Sequence, residues 1–158
     1  MSKETSKKTE NVKVHTKKIA VVMVRGRFDM CDTELDTLDM LKLYRKNFCS
    51  VVNDTPAMKG MIHAVKDFVT FGNIDDDTFK MLVDKRGEEY KGPVSDDTGR
   101  VSYKRKYFEF NGKKYKPYFR LNPPTKGFGR KGVKIPFVSG GALGDRKEKI
   151  NDLIKRML

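Results

Sequence analysis

The chain reads as an α+β protein in which strands and helices alternate as β-α-β-α-β, followed by a basic C-terminal extension. Three observations predict this. Ile19 to Val24 is an unbroken apolar run, mostly β-branched, that Gly26 closes. Asp54-Thr-Pro-Ala57 has the composition of a helix start, a capping hydroxyl directly before a proline. Asn111-Gly112 is the dipeptide of a two-residue hairpin turn.

Taken in order, residues 1–18 lack apolar periodicity and read as a flexible basic tail. Ile19 to Arg27 gives the first strand. Asp32 or Thr33 then caps a helix whose Leu35, Leu38, Leu41 and Tyr44 recur at every third position. Asp29, Asp32, Glu34 and Asp36 suit the positive end of its dipole. Phe48 to Val52 is a second strand. Thr55 and Pro56 open a second helix with Met58, Met61, Ile62 and Val65 on its buried face. Phe68 to Phe71 continues the helical spacing, yet its β-branched and aromatic content and the following Gly72 favour a third strand. A helix from about Asp76 to Arg86 turns Phe79, Leu82 and Val83 inward.

Residues 87–102 form a polar connection. The Asn111-Gly112 turn places Phe108 opposite Tyr115 and Glu109 opposite Lys114, both favourable cross-strand pairs. Pro117 ends that ladder or puts it at an edge. An irregular Gly- and Pro-rich segment runs from Asn122 to Gly144, and a last helix carries Ile150, Leu153, Ile154 and Met157 on one face. The expected organisation is therefore a 1–18 tail, a 19–90 core of ferredoxin-like α+β kind, and a 91–158 extension packed on that core. Fold alone gives no function.

Charge does point to one. The net charge of +13 is divided into +4 over residues 1–18, −3 over 19–90 and +12 over 91–158. From Arg100 to Lys134 there are twelve Lys or Arg, one acid (Glu109) and eight aromatics, Tyr103, Tyr107, Phe108, Phe110, Tyr115, Tyr118, Phe119 and Phe128. Cations that neutralise phosphates, beside rings that stack on unpaired bases, suit a nucleic acid. No apolar run approaches the roughly 20 residues of a membrane span, and no signal-peptide pattern opens the chain. Cys31 and Cys49 are isolated, expected to be buried apolar residues rather than ligands. A cytoplasmic protein is expected.

Other motifs carry less. Gly127-Phe-Gly-Arg-Lys-Gly132 fits a dinucleotide fingerprint, but Asn122-Pro-Pro-Thr125 precedes it and Val133-Lys-Ile-Pro136 follows, so the strand and helix it requires are missing. A glycine-permissive loop approaching phosphates fits better. His15 lies in the tail, and His63 stands beside Lys59 and Lys66. Asp75 to Asp77 open a helix, which explains them more simply than a metal does. Nothing suggests a nucleophile–base pair or a metal site, so no catalytic residue and no cofactor is expected. The candidate RNA contacts form three groups: Arg25 and Arg27 at the end of the first strand; Lys59 near the second helix start; and Lys113, Lys114, Lys116, Arg120, Lys126, Arg130, Lys131 and Lys134, with little acid to offset them. Residues 1–10 and parts of 122–144 are expected to be poorly ordered in the free protein and fixed on RNA.

Ile19–Arg27, Asp54-Thr-Pro-Ala-Met-Lys-Gly-Met61, Val65-Lys-Asp-Phe-Val-Thr-Phe-Gly72, Phe119-Arg-Leu-Asn-Pro-Pro-Thr-Lys-Gly127 and Gly140-Gly-Ala-Leu-Gly144 leading to Lys149–Arg156 together resemble one family. It is the large-subunit ribosomal protein called L-thirty in bacteria and archaea, related to the eukaryotic L-seven. The resemblance covers nearly everything after residue 18; bacterial members resemble the core to about Ile74, and the longer form is similar to archaeal proteins. It implies an antiparallel β-α-β-α-β core and a structural, non-enzymatic role. The implied partners are large-subunit ribosomal RNA near 5S RNA, and other large-subunit proteins. Family RNA contacts map onto Arg25, Arg27, Lys59 and Arg120 to Lys134. Where relatives often carry basic residues after the first strand, this chain has Asp29, Asp32 and Glu34, and residues 91–106 match poorly. The alternative is a free-standing RNA-binding or ribosome-assembly module.

Overall fold

The computed structural model describes residues 17–96, 98, 100–103 and 106–158, so the expectation for the tail lies almost wholly outside the described residues. The unbroken apolar run forms β1 (Lys18–Met23), the middle strand of a five-stranded sheet. β2 (Phe48–Asn53) and β3 (Val69–Asn73) flank it, both antiparallel, with Ala20 opposite Val51 on one side and Gly72 on the other. The short strands β6 (Phe119–Arg120) and β7 (Gly144–Asp145) complete the order β6-β2-β1-β3-β7, β7 lying parallel to β3.

Both faces of the sheet are covered. Ile19, Val21 and Met23 point into a core shared with α1 (Asp32–Met40) and α2 (Pro56–Ala64). Ala20 and Val22 point into a second core with α3 (Asp76–Arg86) and α4 (Ile150–Met157). A strand buried on both sides needs no polar alternation, which is why this one reads as a continuous apolar run. Onto the second core also packs the hairpin of β4 (Phe108–Phe110) and β5 (Lys113–Tyr115), in the expected register of Phe108 opposite Tyr115 and Glu109 opposite Lys114. Asn111 and Gly112 both adopt the positive φ that this turn requires.

The helix ends show where local signals held and where they failed. In α2, the Thr55 hydroxyl accepts from the Met58 N–H at 3.3 Å and Pro56 takes the first helical position, as expected. In α1 the cap is Cys31, not Asp32 or Thr33, and Glu34 reaches back to accept from the Cys31 N–H at 3.2 Å. Cys31 is thus exposed, against the expectation of a buried thiol, whereas Cys49 is buried, which pushes its pKa up to about 12. The helix stops at Met40, so Tyr44 does not extend its face. Lys42 enters the left-handed region, its N–H bonding Asp39 O while the Leu43 N–H bonds Leu38 O. That is a Schellman stop with Leu38 and Leu43 packed together, made without the usual glycine. All four expected residues of α4, Ile150, Leu153, Ile154 and Met157, are fully buried.

Close approach fixes α4 on the sheet. A Cβ at Gly72 would stand 2.1 Å from the Lys147 carbonyl oxygen and 3.0 Å from Ile150. We expect Gly72→Ala to cost about 3 kcal/mol of unfolding free energy, since backbone must move to admit the methyl group. Urea unfolding of the two proteins measures it, and equal midpoints would contradict this packing.

Candidate nucleic-acid interface

The structure divides the expected cations into two classes. Arg27 pairs with Asp39, and its guanidinium lies 6.0 Å from the Tyr44 ring. Arg25 donates to the Asp67 carbonyl at 3.1 Å and sits over Phe68 at 4.8 Å. Lys59 pairs with Asp54 at 2.7 Å. On the hairpin side, Lys116 reaches Glu88 at 2.8 Å, Arg120 binds the other oxygen of Glu88, and Lys113 lies 3.6 Å from Glu89. Lys114 stands 5.0 Å over the Tyr107 ring. The offsetting acids, sparse in the local sequence, come from the segment after α3, because the Tyr90 and Lys116 N–H groups bond Lys114 O and Glu88 O.

Lys126, Arg130, Lys131 and Lys134 form the other class. All are exposed, and none has a side-chain partner among the described residues. They project from the irregular loop 122–144, whose backbone is tied to itself and to the end of α4. Its residues Thr125, Lys131, Phe137 and Ala142 all donate backbone hydrogen bonds, to Arg156 O, Gly140 O, Leu143 O and Ile135 O.

Two arginines that the sequence reading passed over hold this loop. Arg146, 4 % exposed, donates to Thr70 Oγ1 at 2.9 Å, Phe128 O at 2.7 Å and Ala142 O at 3.1 Å. Burial, with the Arg156 charge added, lowers its pKa to about 10, so it stays a cation at neutral pH. Arg156 donates to Thr125 O at 3.2 Å and Gly127 O at 3.1 Å. Nothing local marks either residue, because their partners lie on strand β3 and in the loop. The Gly127–Gly132 segment lies inside this loop, between β6 and a 3-10 turn at Phe137–Ser139, with no strand or helix adjoining it. At Gly129 a Cβ would stand 2.5 Å from Gly141 O, so the glycine lets two loop strands touch.

The aromatics are largely spoken for. Phe108, Phe110, Tyr115 and Phe119 pack in the second core, Tyr118 stacks on Phe48 at 5.3 Å, and Tyr107 stacks on Tyr90 at 5.4 Å. Phe128 packs beside Val24 and Ala142, and Lys106 covers Tyr103 at 4.0 Å. Asp76 and Asp77 pair with Lys18 and Lys80, and no cluster of metal-ligating side chains exists among the described residues. His63 is exposed on α2.

Hydrogen bonds from Lys116 and Arg120 hold the Glu88 carboxyl below its ordinary value of 4.5, the Lys116 bond contributing most. A depressed carboxylate stabilises the fold above its unfolded pKa and loses that contribution as pH falls through the folded one. Glu88→Gln should therefore cost about 1 kcal/mol at pH 7, and the difference from wild type should shrink toward zero below pH 4.5. Denaturant titrations from pH 7 to pH 3 test this; a difference that does not change with pH would refute the ion-pair account.

The family described as Ribosomal protein L30p/L7e matches residues 19–69. A protein of Methanopyrus kandleri is 42 % identical over 137 residues, covering 78 % of this chain and 92 % of that protein. One of Nanoarchaeum equitans is 41 % identical over 158 residues, covering 88 % and 97 %. One of Korarchaeum cryptofilum is 40 % identical over 155 residues, covering 89 % and 94 %. Each of the three is named Large ribosomal subunit protein uL30.

Proposed function

This chain belongs to the ribosomal protein L30p/L7e family, and from that premise we propose that it binds and positions large-subunit ribosomal RNA through the basic loop Lys126–Lys134. The family is a structural one of the large ribosomal subunit, not an enzyme, and its place is cytoplasmic. The observation that carries the RNA reading is the group of four unpaired cations on a loop that two arginines hold in shape. Unpaired like charges on one loop repel each other, and phosphates relieve that repulsion while releasing counterions. The paired cations Lys113, Lys116, Arg120, Lys59 and Arg27 contribute to the same field but would exchange a carboxylate for a phosphate. Placement near 5S RNA belongs to this proposal too, and rests on the family resemblance.

Each phosphate neutralised adds about 0.7–0.9 to the slope of log affinity against log salt. Replacing Lys126, Arg130, Lys131 and Lys134 together by alanine should lower that slope by about 3 on purified large-subunit RNA. Lys59→Ala should lower it by about 1 or less. An unchanged slope in the fourfold variant would remove the loop from the interface. If large-subunit RNA keeps its advantage over an unrelated RNA at high salt, a folded site is recognised. If the two become indistinguishable, the free-standing module is the better reading. Cross-links from the loop to 5S RNA, or to helices remote from it, decide the placement.

A further inference from the structure

The outer edge of β2 is half used. β6 pairs with Phe48 and Cys49, and there the pairing stops. Pro117, which lacks an N–H, turns the chain away; Ser50 Oγ donates to its carbonyl at 3.4 Å, while the Lys116 N–H goes to Glu88 O. Val51 to Asn53 have no strand partner on that side among the described residues. The Asp54 N–H bonds Lys17 O, on the β1 side, and the Leu121 N–H bonds Asn47 O on the other. Antiparallel alternation therefore aims the N–H and C=O of Val51 and the N–H of Asn53 outward.

Apolar cavities flank this edge on both faces of the sheet. One of about 300 Å³ lies between Val51, Asn53 and the hairpin, lined by Phe79, Phe108, Phe110 and Phe119. Another of about 460 Å³ lies toward α1 and α2, lined by Val52, Met40, Leu41, Met58 and Met61. Both include Val51 and Pro117. Unpaired backbone groups between two apolar cavities match what an added strand needs, since its successive side chains point to opposite faces.

We propose that the Val51–Asn53 edge of β2 is a docking site for an extended segment of another protein, with apolar side chains on both faces and an acidic residue at one end. Charge sets the acid. Lys42 lines the Met-rich cavity with no side-chain partner among the described residues, whereas the opposite one is bordered by Glu109 and by Lys18, which Asp76 already pairs at 3.9 Å. The acid of the incoming segment therefore lies on the face toward Lys42, and the face toward Glu109 carries none. An RNA backbone gains nothing from methionine and phenylalanine walls, and a second copy brings its own +13 against this one. The inference stands apart from the RNA reading, because the basic loop takes no part in it.

The test titrates the full chain into a fluorescein-labelled peptide of alternating valine and leucine ended by aspartates, with a lysine-ended peptide as control. Saturable anisotropy is expected for the acidic peptide, with the Val51 and Asn53 amide resonances shifting on binding. Lys42→Glu should weaken it about fivefold and Met58→Glu about tenfold. Should Met58→Glu fail to fold, the surface variant Lys42→Glu still decides. Absence of saturable binding, equal affinity for the lysine-ended peptide, or shifts confined to other residues would overturn the proposal. So would concentration-dependent dimerisation through these amides without peptide, or displacement of the peptide by large-subunit RNA that moves the same amides.

Discussion

From Ile19 onward β1 has no solvent face. Ala20 to Val24 are fully buried; Ala20 to Met23 alternate between two separate cores, and Val24 packs with Ala142 and Leu143. A buried valine or methionine contributes about 1.5–3 kcal/mol relative to an exposed one, so leaving either face open would forfeit much of the sheet's driving force. One face is covered by α1 and α2, which lie between the first three strands in sequence. The other is covered by α3, the β4–β5 hairpin and, from the far end of the chain, α4. The C-terminal half is thus part of the same hydrophobic structure as the first three strands, and β6 and β7 extend their sheet at both edges.

That packing determines which charges are free. The segment following α3 must run beside β5, and it brings Glu88 and Glu89 to the cations of the hairpin and of Arg120. Beyond β6 the chain leaves the sheet and returns at β7, and its loop is fastened by Arg146 and Arg156 through five hydrogen bonds, four of them to loop carbonyls. An arginine suits this work because its guanidinium presents several donors in a fixed plane and stays charged when buried. One acid beside this arrangement, Asp152, pairs with Arg156 at 3.2 Å on α4, and none reaches Lys126, Arg130, Lys131 or Lys134 among the described residues, so the cations at the loop's tip stay unneutralised.

Much of the fold was legible because its signals are local. Thr55-Pro56, Asn111-Gly112 and the spacing of Ile150, Leu153, Ile154 and Met157 each specify a conformation within a few residues, and each appears as read. Two readings missed for the same reason in reverse. Lys42 ends α1 in a left-handed conformation that its residue type does not advertise, and Cys31 caps where a hydroxyl or carboxylate was expected. The candidate interface was legible in composition and not in pairing. Glu88 lies 28 residues from Lys116 and 32 from Arg120, and Arg146 lies 76 from Thr70, separations across which no sequence pattern operates.

The fate of the aromatics bears on how an RNA would be held. Rings and cations together suggested stacking on unpaired bases, but the rings of the 100–134 stretch are occupied by one another, by the core or by lysines. Freeing Phe119 would open the second core at about 3–5 kcal/mol, and freeing the half-buried Phe108 would uncover part of it. What the basic loop turns outward, beside Val133 and Val138, is charge carried on a hydrogen-bonded backbone. Cations at fixed spacing discriminate among folded shapes by where phosphates lie, and they read no base edge. On the proposed reading, specificity for one RNA therefore resides in the rigidity that Arg146 and Arg156 give the loop, more than in the identity of the lysines at its tip.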